Sequence, residues 1–225
     1  MSLESIVGHK KQKEFLSSLN LDQFHHSWIF YGKNGIGKRT TLLNFINQII
    51  EKKNFHNNIR AIECDKKTSI DEVREIINYT NLTNANNDEK IFVIIDNADY
   101  LNYNSFNALL KTIEEPPINT IIVLILENIK AIPKTVISRC NLLKFEMLSQ
   151  EDLRNYCKNK KLIIDENFFI KYQYLIDGSI DRLKILMEQD SNELIKKLEI
   201  ILDNKEFKIN DFESLYSLIS KDFFR

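Results

Sequence analysis

The sequence predicts an α/β protein: a parallel β-sheet with helices on both faces, followed by a small all-helical unit. Three observations carry that prediction. Residues 91–95 (I-F-V-I-I) and Thr120–Leu126 are unbroken apolar runs, the pattern of strands buried on both faces of a parallel sheet. Segments of helical spacing separate the strand candidates, which places helices in the crossovers. Strand candidates stop at Phe145, and from Ser149 onward only helical patterns remain.

The elements follow in order. Val7-Gly8-His9 reads as a turn before a helix over residues 10–19, whose Phe15, Leu16 and Leu19 share one side. His25-His26 stand just before the first strand, residues 28–31. Adjacent side chains point apart on a regular backbone, which favours packing or capping over a joint metal or catalytic role. A glycine-rich loop, residues 32–38, leads into helical spacing over 41–50 and a polar loop over 51–58. Residues 59–64 read as a short strand and 65–68 as a turn. Ser69, with Glu72 three residues on, forms a capping box for a helix through Tyr79, and residues 81–90 read as a polar linker. After the strand ending at Asp96, Tyr103–Glu114 puts Phe106, Leu109, Leu110 and Ile113 on one helical face and stops at Pro116-Pro117. Residues 132–138 read as a short helix or turn and 141–145 as the last strand.

In the helical unit, Ser149 and Asp152 cap a helix through Lys158, and a second runs over residues 165–175. Gly178 breaks the chain, and Ser179 with Arg182 opens a third helix through Glu188. Residues 194–202 and 212–219 supply the rest. The expected division is 1–147 for the α/β domain and 148–225 for the helical one.

Composition bounds the function. A chain of 225 residues holds one large or two small domains, and 43% hydrophobic with 28% charged residues is the balance of a soluble globular protein. A formal net charge of −1 argues against nucleic-acid binding through a strong overall basic field. Cys64, Cys140 and Cys157 are widely spaced and form no C-x-x-C pair, so they read as reduced thiols of a cytosolic protein and carry no zinc signature. No apolar run approaches 18 residues and no leader pattern follows Met1, so the sequence reads as cytoplasmic, neither membrane-bound nor secreted.

The chemistry concentrates in W-I-F-Y-G-K-N-G-I-G-K-R-T, residues 28–40. A strand, a glycine loop and a helix N-terminus make a phosphate cradle, because loop amides and the helix dipole face an anion together. The spacing fits G-x-x-x-x-G-K-[S/T] with Gly32, Gly37 and Lys38, while the hydroxyl position that ligates magnesium holds Arg39. Gly32, Asn34, Gly35, Gly37, Lys38, Arg39 and Thr40 are the candidate loop residues. Asp96 ends its strand where a nucleotide hydrolase keeps the carboxylate that orients magnesium. Asn97 stands where a glutamate would polarise water, and an amide cannot take that proton. Two independent losses therefore point away from hydrolysis, with magnesium absent or weak and no other metal expected. Ser138-Arg139-Cys140 lies just before the last strand; read alone, Arg139 is either a surface arginine or a guanidinium delivered to a neighbour's phosphate.

These residues also carry a resemblance. H-H-S-W-I-F at 25–30, G-I-G-K-R-T at 35–40, D-E-V-R-E at 71–75, I-D-N-A-D at 95–99, N-A-L-L-K-T-I-E-E-P-P at 107–117 and S-R-C at 138–140 resemble the delta-prime subunits of the bacterial DNA polymerase III clamp loader, within the AAA+ superfamily. The resemblance implies an AAA+ P-loop core with a helical lid, and a non-catalytic subunit that helps load the sliding clamp on primed DNA. It implies Arg139 acting in trans on ATP held by a neighbouring gamma/tau subunit, with gamma/tau and delta as partners. It also implies a P-loop that holds ATP or ADP without turning it over. Glu127, at the end of the fourth strand, and Asp181, in the lid, stand where active relatives sense phosphate, and both are acidic here. The short 51–58 segment leaves no room for the four-cysteine zinc module many delta-prime proteins insert, and the C-terminal collar of the family is expected to be missing. The alternatives are a gamma/tau-like ATPase, with Thr40 or water replacing the lost ligand, and a structural adaptor with an empty loop.

Overall fold

The computed structural model describes residues 6–19, 24–53, 59–83, 90–162, 164 and 166–188. One sheet of parallel strands runs in the order β2-β3-β4-β1-β5, with β1 at Ser27–Tyr31, β2 at Ile59–Glu63, β3 at Ile91–Asp96, β4 at Thr120–Leu126 and β5 at Asn141–Lys144. Its helices are α1 Lys10–Ser18, α2 Lys38–Lys53, α3 Ile70–Thr83, α4 Tyr103–Glu114 and the short α5 Lys134–Ile137. The lid that follows contains α6 Gln150–Asn159, α7 Glu166–Ile176 and α8 Ile180–Glu188. The helices expected over 194–202 and 212–219 lie outside the described residues.

Sheet order explains the apolar runs. β4 lies between β3 and β1 and is buried along its whole length, whereas the edge strands β2 and β5 are largely open. Alternation splits the central strands between two cores. Trp28, Phe30, Phe92, Ile94, Val123 and Ile125 pack on Leu16 of α1 and Leu42, Phe45 and Ile46 of α2. Ile29, Val93, Ile95, Ile122 and Leu124 pack on Val73 of α3, Phe106, Leu109 and Ile113 of α4, and Val136 of α5. A third cluster, with Leu148, Leu153, Phe169, Ile176 and Leu183, belongs to the lid.

Three expectations are corrected. α2 starts at Lys38 rather than residue 41, because the Gly37 carbonyl accepts from the Thr41 amide at 2.9 Å and closes the first turn directly on the loop. α2 also runs on to Lys53 and α3 to Thr83, into stretches expected to be loop and linker; neither overrun contains a glycine or proline to stop it. The imidazoles of His25 and His26 do not point apart: they stack, with centroids 4.1 Å apart and planes 27° apart. Both residues precede β1, where strand alternation does not apply, and His25 Nδ1 accepts from the Ser27 amide at 3.2 Å. The capping boxes at Ser69/Glu72 and Ser149/Asp152 form as the spacing requires.

Candidate functional site

The glycine loop leaves the C-terminal end of β1, from which α2 starts, and the sheet fixes its neighbours. Because β1 pairs β4, Gly32 donates to the Leu126 carbonyl at 3.2 Å, which brings Glu127 beside the loop. Asn34 Nδ2 donates to Glu127 Oε2 at 3.0 Å, while Asp99 accepts from the amides of Glu127 and Asn128 at 2.7 and 2.9 Å. A carboxylate thus stands beside the loop at the end of β4.

Lys38 is turned inward. Only 6% of the residue is exposed, and Nζ donates to the carbonyls of Gly32 at 2.6 Å and Lys33 at 2.8 Å, with Asn34 Oδ1 at 3.5 Å. The three donors of an ammonium are therefore met by the loop itself. Burial lowers the Lys38 pKa, while Asp96, Glu127, Asp99 and Asp181 pull it back up. Thr40 is exposed on α2, and its carbonyl accepts from Asn44.

Arg39 occupies the hydroxyl position of the motif and stands against the carboxylates. Its Nη1 donates to Asp96 Oδ2 at 3.3 Å and to Glu63 Oε2 at 3.1 Å, a pairing set by β2 and β3, whose register puts Glu63 opposite Asp96. Asp96 is raised above the ordinary carboxylate range by burial, opposed by the Asn97 amide donating at 3.0 Å and by the Arg39 charge. Asn97, at φ 52°, turns the chain away from the strand into a short 3-10 turn over Ala98–Tyr100.

The lid closes on the loop. The carbonyl of Gly35 accepts from the amides of Ile180 at 2.8 Å and Asp181 at 3.3 Å, so the first turn of α8 is capped by the loop. The approach is close enough that a Cβ at Gly35 would lie 2.2 Å from Ser179 Oγ. Lys33 pairs with Asp177, and Arg182 Nη1 reaches the same carboxylate at 3.3 Å; Asp181 pairs instead with Lys184 at 3.2 Å. Lys33 and Asp177 were not legible in the sequence: one is an unspecified loop position, and the other becomes its partner only through the turn at Gly178.

The cradle has donors for a phosphate. Among the described residues nothing accepts from the amides of residues 37–40, and a Cβ at Gly37 would meet nothing within 4 Å. A magnesium ion does not fit beside it. The motif's hydroxyl ligand is an arginine, and Asp96, the carboxylate that would orient the ion, already faces that guanidinium.

Arg139 lies elsewhere. Asn141 opens β5 opposite Trp28, and Arg139 stands in the turn two residues before it. Arg139 therefore lies toward the N-terminal ends of the strands, whereas this chain's own loop leaves the C-terminal end of β1. Its neighbour Cys140 has its thiol pushed up to about 12 by burial, which removes it as a nucleophile. Among the described residues no group of three or more His, Cys, Asp or Glu side chains could hold a metal ion, and no helix is long and apolar enough to cross a membrane.

Comparisons with known proteins agree with this architecture. Residues 48–149 match a family model described as DNA polymerase III, delta subunit. DNA polymerase III subunit gamma of Buchnera aphidicola subsp. Schizaphis graminum is 32% identical over 182 residues, 70% of this chain and 48% of that protein. The gamma subunit from Buchnera aphidicola subsp. Acyrthosiphon pisum is 32% identical over 205 residues, 80% of this chain and 56% of the relative. The chain thus spans about half the length of these curated relatives. Among solved structures, a DNA polymerase III gamma subunit-related protein of Thermotoga maritima aligns over 97% of this chain and 66% of its own, with TM-score 0.55 and 16% identity. The RuvB Holliday junction branch migration motor of the same organism aligns over 97% of this chain and 72% of its own, with TM-score 0.61 and 14% identity. Those two likenesses speak to the fold: a P-loop sheet and lid of the AAA+ kind. Motifs, strand order and relatives agree: the chain is similar to DNA polymerase III gamma and tau subunits, and its fold is a P-loop sheet followed by a helical lid.

Proposed function

We propose that this chain is a non-catalytic subunit of a DNA polymerase III clamp loader, working in the cytoplasm with gamma/tau and delta subunits to load the sliding clamp on primed DNA. The observation that carries the reading is Arg39 on Asp96: the magnesium ligand of the loop is replaced by a cation that pairs with the magnesium-orienting carboxylate. Asn97 in place of an acid and carboxylates at Glu127 and Asp181 point the same way. Any ATP or ADP held by the loop and Lys38 would bind without being turned over.

In this reading the chain contributes chemistry through Arg139, which faces away from its own loop and would offset charge on a phosphoryl group transferring in a neighbour's site. Substituting Arg139→Ala in a complex reconstituted with gamma/tau and delta should lower DNA- and clamp-stimulated ATPase at least ~10-fold, given arginine-finger effects of about 10³–10⁵. Complex formation should persist. An unchanged rate sinks the trans role.

A second reading, a gamma/tau-like ATPase, is favoured by the names of the curated relatives. Mg-ATP turnover by the purified chain, abolished by Lys38→Ala, would select it. Titration with ATP and ADP separates a nucleotide-holding subunit from an adaptor with an empty loop.

A further inference from the structure

We propose that Glu114 is the positioning residue for Arg139, fixing its guanidinium so that Nη2 is presented to a phosphate on an adjoining subunit; this rests on the reading that Arg139 acts in trans. Arg139 is held on two sides. Its Nε donates to Glu114 Oε1, while Nη1 donates to the Thr135 carbonyl at 2.9 Å with Ser138 Oγ at 3.4 Å. Nη2 makes no hydrogen bond among the described residues, so two hydrogens of the fork stay available.

The support behind Glu114 is rigid. It ends α4, one residue after Ile113, which is fully buried and whose carbonyl accepts from Ser27 Oγ of β1 at 3.2 Å. The backbone that carries Glu114 is therefore anchored to the sheet, and the ion pair ties to it an arginine with four side-chain torsions of its own. Both side chains remain reachable, at 45% exposure for Glu114 and 38% for Arg139. A half-exposed pair adds little to stability. Its consequence here is geometric: a guanidinium ordered before the neighbour arrives loses less freedom when it meets the phosphate. The role also gives the first glutamate of E-E-P-P a task distinct from ending a helix.

The test compares wild type, E114A, E114Q, R139A and E114A/R139A in the chain assembled with gamma/tau and delta. Stimulated ATPase should fall at least fivefold in kcat for E114A with KM for ATP unchanged. E114Q retains the acceptor for Nε and should return to within twofold of wild type. The double variant should be no slower than R139A. Wild-type or raised activity in E114A, failure of E114Q to rescue, or loss of assembly in E114A would each overturn the proposal while a defective R139A keeps the trans reading standing. A fully active R139A would overturn the trans reading itself.

Discussion

Replacing Arg39 with alanine tests whether this loop is held by an internal ion pair where an active site would hold magnesium. Asp96 has only 13% of its side chain exposed and Arg39 has 41%, so the pair lies between two limits. Exposed pairs contribute ~0.2–1 kcal/mol and breaking fully buried ones costs about 3–5 kcal/mol. The screened arginine places this pair near the lower half of that interval, at roughly 1–2 kcal/mol of coupling. The contact to Glu63, whose side chain is 66% exposed, adds little. For a chain of this size 1 kcal/mol shifts Tm by about 2–4 °C, so Arg39→Ala should melt ~2–8 °C below wild type. Asp96→Asn removes the charge that Arg39 meets, and a double-mutant cycle by urea unfolding should return the coupling directly.

The pH dependence has a definite sign. Asp96 is raised in the folded state, so its ionisation disfavours folding, and that penalty grows as pH climbs from the unfolded carboxylate value through the folded one. Arg39 is one of the groups that limits the rise. Losing it should hurt most near neutral pH, and the gap to wild type should close as acid protonates Asp96. A coupling below ~0.3 kcal/mol at neutral pH, within ordinary additivity error, would refute the stand-in cation. A gap that widens in acid would do the same.

Two further outcomes are expected. Gly35→Ala places a methyl 2.2 Å from Ser179 Oγ at φ +74°, whereas Gly37→Ala meets only the backbone cost of φ +98°; the first should therefore lose about 1–3 kcal/mol more than the second and expose α8 to proteolysis, and equal losses would mean that the lid does not rest on the loop. His9 is lowered below the ordinary imidazole value chiefly by burial, although its Nε2 meets the Ile36 carbonyl at 2.7 Å, so stability present above about pH 6.5 should be lost as pH falls through the folded value. His9→Asn, which tolerates the φ of 51° here, should flatten that slope in thermal melts, with His26 still contributing in the same direction.

What the sequence determined is local. The unbroken runs of β3 and β4, the capping boxes at Ser69 and Ser149, and the stop after Glu114 at Pro116-Pro117 are each written in neighbouring residues, because side-chain period, helix capping and proline sterics act over a few positions. The phosphate loop and its missing ligand were legible for the same reason: motif spacing is contiguous. Helix ends were less so, since α2 and α3 overran into polar stretches that lack a stop residue.

Tertiary structure decided the pairings. Arg39 and Asp96 are 57 residues apart, Lys33 and Asp177 are 144 apart, and Arg139 and Glu114 are 25 apart. Each meeting depends on the strand order β2-β3-β4-β1-β5 or on the lid's return over the loop. Charge and hydrogen-bond chemistry act through space, and sequence spacing fixes distance only within an element. The arginine in the loop was thus visible from the start, but only the register of β2 with β3 put two carboxylates in front of it.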